Sequence, residues 1–311
     1  MNRILTGHLG LRWTLYLPPL AMALLLGAGC GGSAADDSSD DYAARMAQEH
    51  DGDTPVAGDA GRAADTTRKI TTTQPVYATV DGTEVTGYFA EPLGAADDTP
   101  GLLVIHEWWG LNDNIETMAR MFAQQGYRAL AVDLYGGQMA EDPEGARALM
   151  QAAMESPERA QENLRQAHAF LTGRGAGRTG SIGWCFGGAW SLESALLLPG
   201  ELDAAVIYYG RLVTDKKRLA PLTAPILGIF GSEDRGIPVA QVEAFEAALD
   251  ELGKVAEIHL YEGANHAFAN PSGSRYAPQA AKDAWEKTLA FFDAHLSDDE
   301  SDSDQNEADE S

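Results

Sequence analysis

Five short strand-like runs, the apolar Gly101–Ile105 and then Tyr127–Val132, Thr179–Gly183, Ala204–Tyr209 and Pro225–Phe230, alternate with segments of helical periodicity. A run that is apolar throughout suits a strand covered on both faces, and a parallel sheet flanked by helices supplies that environment repeatedly. The intervening segments, Asn112–Gln125, Pro143–Met154, Pro157–Leu171, Phe186–Leu198 and Val239–Leu252, read as helices. Two of them carry Pro near the first turn, and Gly126 follows another. Ala256–Tyr261 adds a strand and Tyr276–His295 a closing helix. Pro75–Val80 and Thr83–Ala90 flank Asp81-Gly82, the signature of a hairpin with a type I′ turn. The pattern predicts an α/β domain: a mostly parallel central sheet with helices on both faces. Such sheets bind ligands beyond the carboxyl ends of their strands.

This domain is expected to span residues 74–297 of the 311-residue chain. Arg3 and Arg12 precede the apolar stretch Trp13–Gly29, and Gly27-Ala28-Gly29 lead to Cys30. That is the layout of an export signal over residues 1–30. A Cys directly after small residues resembles the lipobox of bacterial lipoproteins, although Gly27 stands where that motif prefers Leu. The expectation is lipidation at Cys30, with membrane attachment at the cell envelope; plain secretion and an uncleaved anchor are the alternatives. Residues 31–66 hold nine acids and two bases, and residues 298–311 hold eight acids and no base. Residues 31–73 are therefore expected to be a disordered acidic linker and 298–311 a disordered acidic tail. The net charge of −25 leaves the core acidic as well, which argues against nucleic acid as a partner. The two cysteines are assigned separate tasks, so no disulfide is expected.

Gly183-Trp184-Cys185-Phe186-Gly187-Gly188 joins a predicted strand to a predicted helix. It fits G-x-nucleophile-x-G, with Cys in place of Ser. A thiol at a helix N-terminus is favoured as thiolate, and the Phe186 N–H is placed to stabilise a developing oxyanion. A Gly-rich turn with an inert buried Cys is the bland alternative. His266 follows the last strand and is the natural base for a thiol. Asp234 follows the strand before it and can orient the imidazole; Glu233 is its rival. The chain order Cys185, Asp234, His266 is that of α/β hydrolases. In His106-Glu107-Trp108-Trp109-Gly110 the Trp108 N–H is a candidate second oxyanion donor. Glu107 is either a catalytic group or a buried ion-pair partner.

These motifs resemble the dienelactone hydrolase (carboxymethylenebutenolidase) family of the α/β-hydrolase superfamily. The resemblance also rests on Asp133-Leu134-Tyr135-Gly136-Gly137, Tyr208-Tyr209-Gly210 and Asn265-His266-Ala267-Phe268. It implies that Cys185 is the nucleophile, His266 the base and Asp234 its orienter. It implies further that Glu107 contacts the resting thiol and helps to deprotonate it. The implied reaction is cleavage of a small ester or lactone through a thioester, with no cofactor and no metal. Trp109, Tyr135, Tyr209, Arg211 and Phe268 are candidate pocket residues. One departure concerns the fourth residue after the His, where dienelactone-cleaving members carry an Arg and this chain has Asn270. A non-catalytic ligand-binding lipoprotein on the same scaffold is the alternative function. A monomer is expected.

Overall fold

The computed structural model describes residues 39–50, 53, 55 and 68–297. Cys30, the export segment and the 298–311 tail lie outside the described residues. Among the described residues, no helix is long and apolar enough to cross a membrane.

Helix α1 spans Ser39–Glu49, followed by strands β1 (Ile70–Thr73), β2 (Val76–Val80), β3 (Thr83–Thr86), β4 (Tyr88–Pro92) and β5 (Gly101–Ile105). Then come α2 (Asp113–Gln125), β6 (Arg128–Val132), α3 (Pro143–Glu155), α4 (Pro157–Gly173), β7 (Thr179–Trp184) and α5 (Phe186–Leu197). The chain continues through β8 (Ala204–Tyr208), α6 (Lys216–Leu219), β9 (Ile226–Gly231), α7 (Val239–Glu251), β10 (Ala256–Tyr261) and α8 (Pro278–Leu296). The main sheet has eight strands in the order β1-β4-β6-β5-β7-β8-β9-β10. From β6 to β10 every pairing is parallel; β1 and β4 are antiparallel additions at one edge.

Every residue of β5 to β9 is buried, including the polar Arg128, Thr179 and Ser181, as a sheet covered on both faces requires. Consecutive strand residues point to opposite faces. A Cβ at Gly180 would touch Phe292 and Leu296 of α8, whereas the Ser181 hydroxyl bonds Ser191 of α5. Helices therefore cover both faces, as the sequence pattern predicts. On the α8 side, Phe122 of α2 packs against Trp285 and Phe292. Helix ends follow local chemistry: Asn112 Oδ1 accepts from the Asn114 and Ile115 amides, and Gly126 closes α2 at φ 114°.

The structure departs from expectation in three places. The predicted hairpin forms around Asp81-Gly82, both at positive φ, but its second arm stops at Thr86. After Gly87 the chain leaves the ribbon and joins the main sheet as β4, antiparallel to β6. A Cβ at Gly87 would sit 2.7 Å from the Ala131 carbonyl oxygen, so this crossing requires glycine. The second departure is α6, a short helix that carries too little periodicity to be read. The third is the stretch expected to be a disordered linker. Ser39–Glu49 is helical and Ile70–Thr73 pairs with β4. Helix α1 buries Tyr42, Ala43, Met46 and, just past its end, His50. These positions recur at helical spacing, so a narrow face is buried although the segment as a whole is acidic.

Phe122 is fully buried. Phe122→Ala should lower stability by about 3–5 kcal/mol, read from urea unfolding, because it empties the junction of α2 and α8.

Candidate active site

Cys185 stands between the end of β7 and the start of α5, at φ 56° and ψ −115°. A non-glycine residue held there costs on the order of 1–3 kcal/mol, supplied by the surrounding packing. That packing is backbone against backbone. A Cβ at Gly183 would meet the Gly187 carbonyl oxygen at 2.1 Å, and one at Gly187 would meet the Ile105 carbonyl oxygen at 2.3 Å. The Cys185 N–H donates to the Tyr208 carbonyl at 3.0 Å. The sulfur is thereby raised on a sharp bend above the strand ends, with Phe186 as the first residue of α5.

Asp234 follows β9 and His266 follows β10. Their Oδ2 and Nδ1 lie 2.8 Å apart, with both side chains fully buried. Asp234 Oδ1 accepts from the Gly236 and Ile237 amides, each at 2.8 Å. One carboxylate oxygen is fixed by backbone, and the other holds the imidazole proton at Nδ1. His266 Nε2 is buried and lies within 4.8 Å of Cys185 Sγ, the thiol with which it interacts. Glu233, the rival acid, is exposed. Burial pushes the Cys185 thiol up, but the imidazoles of His266 and His50 outweigh it and bring the thiol down to about 7. For His266, burial favours the neutral ring, and Asp234 together with Cys185 reverses this and raises its pKa well above the usual value.

Glu107 is buried, and its Oε2 accepts from Asn270 Nδ2 at 3.0 Å and from Asn114 Nδ2 at 3.3 Å. Asn270, at the position where an Arg is typical, is thus an amide partner of this carboxylate. His106 is buried as a neutral ring: its Nε2 accepts from the Leu134 amide and its Nδ1 donates to the Glu107 carbonyl. Asp133 bonds the Tyr135 and Gly137 amides and so shapes the loop after β6.

The aromatic residues around the strand ends pack on one another and on the site histidines. Phe186 packs on His106 and Tyr135, Tyr209 on His266 and Phe268, and Trp108 on Trp109. The Arg211 guanidinium lies over the Tyr42 ring, 5.6 Å from its centroid. Both line a cavity of about 270 Å³ with Phe186, Trp190 and Arg218.

Sequence reading missed what covers the thiol. Met46 Sδ lies 3.8 Å from Cys185 Sγ, and His50 Nε2 lies 3.9 Å from it. The His50 ring stacks on Trp108 at 4.5 Å and meets His266 edge-on at 5.2 Å. Its Nδ1 donates to Asp53 Oδ2 at 2.9 Å. Asp53 is also held by Arg275 Nη2 at 2.8 Å, and Arg275 Nε donates to the His266 carbonyl. Cys185 is left with no exposed surface. The signal was the i, i+4, i+8 spacing of Tyr42, Met46 and His50, masked by the acids around it.

The sequence profile of the dienelactone hydrolase family matches residues 85–296. The chain belongs to this family. Among curated relatives, the protein usf of Aquifex pyrophilus is 32% identical over 224 residues, covering 70% of this chain and 96% of its own length. Among solved structures, the dienelactone hydrolase-like promiscuous phosphotriesterase P91 from metagenomic libraries is 25% identical with a TM-score of 0.66, covering 73% of this chain and 98% of its own. The protein m3DLH is 26% identical with a TM-score of 0.67, covering 73% and 99%. The α/β-hydrolase fold and a dienelactone hydrolase-like hydrolase follow from this membership.

Burial lowers the pKa of His106, so the folded chain resists a proton that the unfolded chain accepts below about 6.5. This ring therefore withdraws stability as pH falls through that range, whereas His50 and His266, with raised values, act in the opposite sense. Going from pH 7 to pH 5, His106→Gln should become more stable relative to the unsubstituted protein, measured by urea unfolding at both pH values.

Proposed function

We propose that this hydrolase cleaves a small carboxylic ester or lactone through a thioester on Cys185, with His266 as base and Asp234 as its orienter. The observation that carries the reading is the sulfur on a positive-φ bend within 4.8 Å of an imidazole whose other nitrogen is bonded to a buried carboxylate. The thiolate attacks the carbonyl carbon, and the C=O electron pair moves to oxygen. The Phe186 and Trp108 amides are the proposed donors to that oxyanion. Collapse breaks the carbon–oxygen bond, and His266 delivers a proton to the leaving oxygen. Water then attacks the thioester, giving its proton to His266, and the acid departs as the thiol re-forms. In a lactone the leaving oxygen stays attached to the acyl chain, so one open product results. Glu107, anchored by Asn114 and Asn270, is proposed to assist thiol deprotonation at the mouth of the pocket. With Asn270 in place of a cation, neutral substrates are favoured over anionic dienelactones.

The reading also places the enzyme outside the cell membrane, tethered through lipidated Cys30. Labelled palmitate should enter the full chain and not Cys30→Ala; equal labelling would remove the tether from the proposal.

One observation favours the non-catalytic alternative, a ligand-binding lipoprotein: α1 leaves the thiol fully covered. Aryl-ester turnover by the full chain separates the two. Cys185→Ala should abolish turnover and retain the fold by circular dichroism. Undiminished hydrolysis would dismiss Cys185 as nucleophile, and inertness of the unsubstituted chain toward esters, lactones and thioesters would support the binding role. Asp234→Asn should lower kcat by about 10⁴-fold with little change in KM, the cost of a wrongly oriented base.

A further inference from the structure

We propose that Met46, His50, Cys185 and His266 form a copper(I) site that fastens α1 over the domain. The proposal does not rest on the hydrolytic reading. One thiolate, one thioether and two imidazoles converge: Met46 Sδ and His50 Nε2 lie 3.8 and 3.9 Å from Cys185 Sγ. The ligand atoms of His50, Cys185 and His266 all lie within 4.8 Å of one another, so a single point is within roughly 2.8 Å of all three. Metal–sulfur and metal–nitrogen bonds of about 2.3 and 2.0 Å in a tetrahedron hold sulfur and nitrogen about 3.6 Å apart. The Cys185–His50 separation then needs to shrink by a few tenths of an ångström, and the Cys185–His266 separation, bounded at 4.8 Å, by roughly 1.2 Å at most.

Three further features suit a metal better than plain packing. First, His266 Nε2 is buried and faces the cluster, where the group it interacts with is the Cys185 thiol. Second, each imidazole sets its Nδ1 against a carboxylate, His266 on Asp234 and His50 on Asp53, with the Arg275 guanidinium also 3.2 Å from His50 Nδ1. That is the outer-shell arrangement which presents Nε2 to a metal and fixes the ring. Third, the donors are soft. The set holds no oxygen ligand for magnesium or calcium, and a thioether and a thiolate are both soft donors of the kind copper(I) takes. Two imidazoles, a thiolate and a more distant Met are a recurring copper set. Loading replaces one proton: Cys185 binds as thiolate, its proton leaves to solvent, and no electron is transferred. The ion then occupies the proposed nucleophile and base together and ties α1 to the domain through two of its four ligands.

The test uses the full chain under anaerobic conditions, with copper(I) titrated in competition with a coloured copper(I) chelator. One copper per chain is expected, held against the chelator, with X-ray absorption reporting mixed sulfur and nitrogen ligands. Met46→Leu keeps the side-chain volume, and His50→Phe keeps the stack on Trp108; each should weaken copper binding by about tenfold or more. Asp53→Asn should weaken it by about 10–100-fold. Failure to retain copper, or retention of zinc in its place, would overturn the proposal. So would copper held equally well by Met46→Leu and His50→Phe, since α1 would then supply no ligand. Ester turnover by the copper-free protein is scored separately: turnover without copper binding leaves the hydrolase reading standing alone, and copper binding without turnover leaves this one.

Discussion

The site depends on close approaches between stretches of the protein's own backbone. At the end of β7 the main chain passes the Ile105 carbonyl and the Tyr208–Gly210 segment at separations that admit no side chain on Gly183, Gly187 or Gly188. That crossing forces Cys185 into positive φ, lifts its sulfur off the sheet and starts α5 directly beneath it. Everything chemical is arranged around the resulting point. The loops after β5, β9 and β10 reach it because those strands are parallel neighbours or near neighbours of β7, and all end on the same side. The strain at one residue is small beside the burial of the five central strands that hold it in place.

Much of this was legible in the amino-acid order. Strands buried on both faces leave an unbroken apolar run, and the glycines around Cys185 mark a place where only hydrogen fits. Asp234 could be told from Glu233 only through burial, which sequence does not print: the two are adjacent, and one faces the imidazole while the other faces solvent. Glu107 was visible as an odd acid between a strand and two tryptophans. Its partners Asn114 and Asn270 are polar residues on separate elements, and nothing local ties them to it. The extension of the hairpin failed at Gly87 because the close approach to Ala131 depends on tertiary structure.

Helix α1 was lost for a different reason. Averaged over the stretch 31–66, acids dominate and the composition argues for disorder, yet burial needs only a stripe. Tyr42, Met46 and His50 supply it, and the seat they fill is lined by the groups that give the domain its chemistry. A segment outside the family's matched region, residues 85–296, thus contributes directly to the environment of the thiol. The His50–Asp53 pair repeats the His266–Asp234 pair across the sulfur, so Cys185 sits between two similarly buttressed rings.

Arg275 joins these two halves. Its Nε holds the carbonyl of His266 while its Nη2 holds Asp53, so one planar cation braces both the loop after β10 and the chain beyond α1. An acid at 53 without a guanidinium at 275 would be a partly buried negative charge behind the His50 ring without its counter-ion, and the arginine alone would keep only the loop after β10. Loss of either residue would cost the other this ion pair and slacken the tie between the loop after β10 and the segment that carries His50.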